Sequence, residues 1–132
     1  MTKREAYAAE VRELLRKWLK TGQSAELTGY LLCNSNLPGP RGNLELAWAL
    51  GDVVAELAPA AGQQLWSLAS EWAAVGPEVA PTNSAEEYLP FCGAVAIGSL
   101  GAALPERCAD ALDSLRDLAG DPRWRMREGV CF

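Results

Sequence analysis

At 132 residues the chain is the size of one domain, long enough to bury roughly two thirds of its unfolded surface without metal or disulfide staples. Hydrophobic residues at 49% and charged residues at 22% exclude a disordered chain, and no apolar run nears the ~20 residues that span a bilayer. Net charge is −5 and histidine is absent, which removes the commonest general base, the usual catalytic triads and most transition-metal sites.

The first helix is marked by a Thr2-x-x-Glu5 capping box and by Tyr7, Val11, Leu14, Leu15, Trp18 and Leu19 at helical spacing, and Gly22 ends it. This charged, amphipathic start is no secretory signal, so a cytoplasmic location is expected. Ser24 is set to cap a short second helix carrying Leu27, Tyr30 and Leu31, which runs out at Asn34-Ser35-Asn36. The prolines and glycines of 37–43 make a loop, and Asn43 caps a third helix from Leu44 to about Leu57, stopped by Pro59. A fourth helix runs from about Ala61 to Ala74, and Gly76-Pro77 and Pro81-Thr82-Asn83 follow it as a longer loop.

Ser84-Ala85-Glu86-Glu87 reads as another capping box, with a kink or a new start at Pro90 on the way to Leu100. Gly93, Ala94, Ala96, Gly98 and Gly101 leave this helix poor in bulk, which implies close packing against neighbours. Pro105 begins a sixth helix to about Ala119 with Cys108, Leu112, Leu115 and Leu118 buried, and Asp121-Pro122 starts a seventh. No β pattern is present. The four cysteines are far apart with no Cys-x-x-Cys pair, and they read as buried thiols.

Charge is uneven along the chain. Met1 to Glu45 holds 7 Lys/Arg against 5 Asp/Glu, Leu46 to Pro122 holds 2 against 11, and Arg123 onward holds 3 against 1. The acidic middle opposes nucleic-acid binding and favours basic partners.

Asp121-Pro122 with Arg127 six residues after the aspartate resembles the start of the second helix of a HEAT repeat. Ser35 to Leu46 (SNLPGPRGNLEL), Glu87 to Gly98 (EYLPFCGAVAIG) and the segment DPRWRMREGV together resemble bacterial HEAT-repeat proteins of unassigned function. The resemblance implies an all-α fold, an α-solenoid of about three antiparallel helix pairs plus a terminal helix, forming one domain over residues 1–132. It assigns Asp121 and Arg127 a repeat-stabilising role, the aspartate capping its helix and the arginine reaching an acidic cap next door. In that group more sequence follows this segment. The last repeat is therefore expected to be incomplete, in an N-terminal piece of a longer chain or a short version of one.

Three features point to function. Gly39-Pro40-Arg41-Gly42-Asn43 leads into a helix N-terminus, where free N–H groups and the helix dipole favour anions, so Arg41, Gly42 and Asn43 are the first candidate site. Among five tryptophans, Trp66 and Trp72 are six residues apart and diverge by about 120°, so at least one is partly exposed; Trp48, Trp72 and Trp124 are taken as interface candidates. Met126 and Val130, on one flank of the last helix, would need covering, by further repeats in a longer chain or otherwise by self-association through this end. Arg123, Arg125 and Arg127 do not share one face of a helix, so they read as salt-bridging residues, and Glu86-Glu87 as a dipole-stabilised first turn.

A non-catalytic protein-interaction scaffold without cofactor or metal is the leading expectation. The alternatives are a HEAT-like DNA-repair or nucleic-acid module using Trp66, Trp72 and Trp124, and a regulatory domain binding an anionic small molecule near Arg41.

Overall fold

A helix with no polar face has to be covered on every side, and Tyr88–Ala103 is such a helix, with its residues Phe91 to Ile97 all buried. In the computed structural model, which describes residues 2–131, it is the fourth of six α-helices. They are α1 (Lys3–Thr21), α2 (Ala25–Cys33), α3 (Leu44–Ala73), α4 (Tyr88–Ala103), α5 (Cys108–Leu118) and α6 (Trp124–Val130). Single 3-10 turns at Ala85–Glu87 and Pro105–Arg107 precede α4 and α5, and there is no strand among the described residues. α4 packs mainly on α3, with α5, α6 and α2 also against it, while α1 packs on α3 and α2. The all-α class is as the sequence implies.

Local signals set most boundaries. Thr2 Oγ1 accepts from Glu5 N–H at 3.1 Å, and Gly22 takes the left-handed conformation (φ 75°) that ends α1. Asn43 Oδ1 accepts from Leu46 N–H at 3.0 Å at the start of α3. Ser24 and Ser84 make no side-chain cap bond, and Ser84 Oγ donates to Pro81 C=O instead. Pro90 falls in the first turn of α4, where backbone donors have no intrahelical partner, so the helix neither kinks nor restarts there.

The expected break near Pro59 is found two residues on, where two helical segments meet at a kink within α3: the backbone of Ala61 (φ −133°, ψ 24°) is not helical. Pro59 removes one backbone donor just before the kink, and apolar residues of both segments, from Leu46 to Trp72, join one core. On α5 only Ala111 is buried, Leu115 and Leu118 are half-buried, and Cys108 and Leu112 are exposed, Leu112 at 58%. The reason is that α5 meets α4 at its small residues: a Cβ on Gly101 would sit 2.5 Å from that of Ala111, so the contact runs through Ala111 and the leucines fall to its sides. Of the cysteines, all unpaired, only Cys92 is buried, and burial holds its thiol well above the usual range.

Candidate functional site

Two neighbouring features carry the chemistry: a surface groove around Trp48 and a buried charge cluster behind it. The groove starts where α1 and the loop 36–43 meet the N-terminus of α3. A cleft of about 410 Å³ there is lined by Lys3, Tyr7, Asn36, Arg41, Gly42, Asn43, Leu44, Glu45 and Trp48. On the other side of Trp48 a second cleft of about 390 Å³ is floored by Gly51, Ala55, Ser99, Ala102 and Ala103. Trp48 itself is 40% exposed, with the Arg4 guanidinium 5.8 Å from its ring centroid.

The loop, the cap and the tryptophan singled out in the sequence therefore meet in one place, but their availability differs. Arg41 is exposed, and neither it nor Lys3 has a hydrogen bond or ion pair among the described residues. Gly42 is buried, packed towards Tyr88 and Arg125. Asn43 is 7% exposed and spent: it caps Leu46, donates through Nδ2 to Asn34 C=O (2.8 Å) and Tyr7 Oη (3.2 Å), and accepts from Tyr88 Oη on its carbonyl (2.6 Å). It shapes the cleft without offering a free polar group.

The acidic middle is also partly spent. Arg4 donates through Nε and Nη2 to both oxygens of Asp52 at 2.7 Å, and Arg12 makes the same fork on Glu56 at 2.8 and 2.9 Å. These hydrogen bonds hold both carboxyls below their ordinary range and tie α1 to α3.

Behind the groove lies what the sequence did not disclose. Glu87, expected as a dipole-stabilised first-turn residue, is 0% exposed. Its Oε1 accepts from Asn83 N–H at 2.8 Å and lies 3.2 Å from Arg125 Nε, whose side chain is 3% exposed. Arg125 Nη2 donates to Gly39 C=O (2.7 Å) and Asn83 Oδ1 (3.0 Å), while Glu87 Oε2 and Arg125 Nε and Nη1 have no hydrogen-bond partner among the described residues. Burial raises the Glu87 carboxyl above its ordinary value, opposed first by the Asn83 N–H and then by the Arg125 guanidinium. The signal was present in outline: Glu87 shares a helical face with Phe91 and Ala94, one turn and two turns on, and that face is the one α6 covers.

Arg123 is the fully satisfied member. Nε and Nη2 fork onto Asp121 at 2.9 Å each, and Nη1 and Nη2 reach Ala80 C=O (3.0 Å) and Val75 C=O (2.9 Å). Asp121 therefore partners Arg123, accepting its N–H as well at 2.8 Å, whereas Arg127, expected to reach an acidic cap next door, is exposed and makes no ion pair among the described residues. Because α6 begins at Trp124, Asp121 lies ahead of the helix and Arg123, held extended (φ −78°, ψ 121°), is the arginine it reaches. The three arginines do not share one face, as expected, and two of them make ion pairs, Arg123 with Asp121 and Arg125 with Glu87, both arginines being buried while Arg127 is exposed.

The Asp121 carboxyl is lowered, mainly by its hydrogen bonds from the Arg123 side chain. A carboxylate whose folded pKa is depressed adds stability above its unfolded value, ordinarily about 3.9, and that stability disappears as pH falls through the folded value. Thermal melts of Asp121→Asn are expected to show a lower Tm than the parent near neutrality and a shrinking gap below about pH 4. A gap of constant size down to the acid limit would show that the Asp121 charge is not what Arg123 uses.

The interface candidates divide. Trp72 is 4% exposed and Met126 0%, so neither is a surface residue: Trp72 belongs to the α3 core face and Met126 to the underside of α6. Trp66, not Trp72, is the half-buried member of its pair, with Arg107 stacked 4.9 Å from its ring. Val130 is half-buried, and Trp124 is 42% exposed beneath the Arg125 guanidinium at 4.3 Å.

Among the described residues no group of Cys, Asp or Glu is placed to hold a metal ion, and no helix is long and apolar enough to cross a membrane. Comparison with family models, with curated proteins and with solved structures gives no match.

Proposed function

We propose that the chain is a non-catalytic, cytoplasmic interaction scaffold of the HEAT-like α-solenoid type, taking a protein partner along the groove around Trp48. The observation that carries this is the exposed Trp48 indole between two clefts, one basic-ended and one floored by small side chains. The packing of α1 on α3, α3 on α4 and α4 on α5 supports a stacked arrangement, and the DPRWRMREGV resemblance agrees with it.

Partner chemistry follows from the charges left over. Asp52 and Glu56 are answered within the chain, so the groove offers Lys3 and Arg41 with a single opposing carboxylate, Glu45. That combination suits a segment bringing an apolar side chain to Trp48 and a carboxylate to the basic end, in place of the basic partner the overall charge suggests. Partner capture by chemical crosslinking is expected to fall by about tenfold or more in Trp48→Ala and in Lys3→Glu/Arg41→Glu, and to persist in Trp124→Ala. A partner indifferent to both groove variants, with the helical signal unchanged, would sink this reading.

A second reading keeps one observation in its favour. Lys3 and Arg41 line the cleft at the N-terminus of α3, an arrangement suited to a small anion. Inorganic phosphate would then raise the Tm, ligand at 100 times its Kd adding about 2.7 kcal/mol, and the absence of any shift removes the reading.

A further inference from the structure

The loop that carries Arg41 is held from a distance. Gly39 N–H donates to Asn83 Oδ1 (3.0 Å) and Gly39 C=O accepts from Arg125 Nη2 (2.7 Å), while Arg125 and Asn83 are themselves bonded at 3.0 Å. One residue of the loop is thus gripped through both its N–H and its C=O, by residues 44 and 86 positions away. Among the described residues, the other backbone donors of the loop held by hydrogen bonds are Leu37 N–H, to Ser35 Oγ at 3.1 Å, and Asn43 N–H, to Ser35 C=O at 2.9 Å.

The arginine that grips Gly39 belongs to α6, which has seven residues. A helix this short is not stable in isolation, so α6 is ordered by its docking. It lies along the face of α4 that carries Glu87, Phe91 and Ala94: Arg125 meets Glu87, and one turn later Gly129 is so close that a Cβ there would be 3.1 Å from the Phe91 ring and 3.5 Å from Ala94 Cβ. Meanwhile Glu87 Oε2 and Arg125 Nε and Nη1 are buried without hydrogen bonds. A buried ion pair so incompletely satisfied favours release more than a fully bonded one would, which places α6 at the low end of local stability.

We propose that α6 is a latch on the groove: its docking sets Arg125 against Gly39 and holds the Arg41 loop, and its release frees that loop and the basic end of the groove. The regulatory consequence rests on the groove reading; the coupling itself does not. A partner that engages the held loop tightens α6, and any segment that displaces α6 from Glu87, Phe91 and Ala94 weakens that partner by the same factor.

Native-state hydrogen exchange on the full chain in rising denaturant tests the latch without a partner. The amides of Gly39 and Asn43 are expected to open with the same free energy and denaturant slope as those of Met126 and Cys131, below the opening of Val53 and Leu100 in the core. In Gly129→Leu, which crowds Phe91 and touches nothing in the loop, exchange at Met126 and Gly39 is expected to quicken together by about tenfold or more. Gly39 opening independently of Met126 in the parent chain overturns the latch, as does quickening of Met126 alone in the variant. Loss of the Trp48 effect on partner capture would overturn the groove reading and leave this result standing.

Discussion

Alanine at Gly93 is expected to destabilise the protein by about 2 kcal/mol or more, although alanine is the better helix former by about 1 kcal/mol. A Cβ at Gly93 would fall 2.5 Å from Ala73 N, 2.8 Å from Ala69 C=O and 3.0 Å from Ala73 Cα. All three are backbone atoms of α3, so no side chain can rotate away and the helices themselves must separate. The separation would undo packing along the largest helix pair, where Leu65, Leu68 and Ala69 meet the fully apolar α4. Urea unfolding should show a lower midpoint with little change in slope. Gly29→Ala provides the contrast, because nothing lies within 4 Å of a Cβ there and α2 should gain up to about 1 kcal/mol. Equal behaviour of the two variants would mean that close approach is not why Gly93 is glycine.

Arg125→Met is expected to cost about 3–5 kcal/mol, the usual price of leaving a buried carboxylate without its cation. Glu87 would keep only the Asn83 N–H, in a site that water does not reach. Adding Glu87→Gln removes the stranded charge while keeping an acceptor for Asn83, so the double variant should recover a substantial share of the loss. The pH dependence has a definite sign. Glu87 is already raised by burial, and losing the guanidinium raises it further. A carboxyl with a raised folded pKa favours the fold at low pH and loses that advantage as pH rises through the folded value, so Arg125→Met should lose least at mildly acid pH. Strictly additive single effects in the cycle would show that the two side chains, 3.2 Å apart, are not energetically coupled.

Much of the helix pattern was legible because its causes are local. Thr2, Gly22 and Asn43 act within one turn of their own positions, and all three end or begin helices as their chemistry dictates. The small-residue run of α4 implied close packing, and Gly93 shows how close. Pro59 marked a break that falls at Ala61, but that the segments on both sides join one core is something no window of sequence contains. Trp72 and Trp66 were separable in direction by their spacing, but which one faces the core depends on where α4 lies.

The site divides in the same way. The Gly39 to Asn43 loop, its helix N-terminus and Trp48 were visible as chemistry, and they do line one groove. Glu87, Arg123 and Arg125 looked like ordinary surface charges, since a charged residue is exposed by default and only a partner brought from elsewhere in the chain makes burial affordable. Those partners lie 38 residues apart for Glu87 and Arg125, and 86 apart for Gly39 and Arg125. Sequence by itself therefore determined that the chain is helical, where most helices begin, and which loop precedes α3. Tertiary structure alone decided which leucines of α5 stay outside, which arginines go inside, and that a seven-residue helix grips the Arg41 loop, because each of these is settled by the desolvation of one group against another that local propensity cannot place.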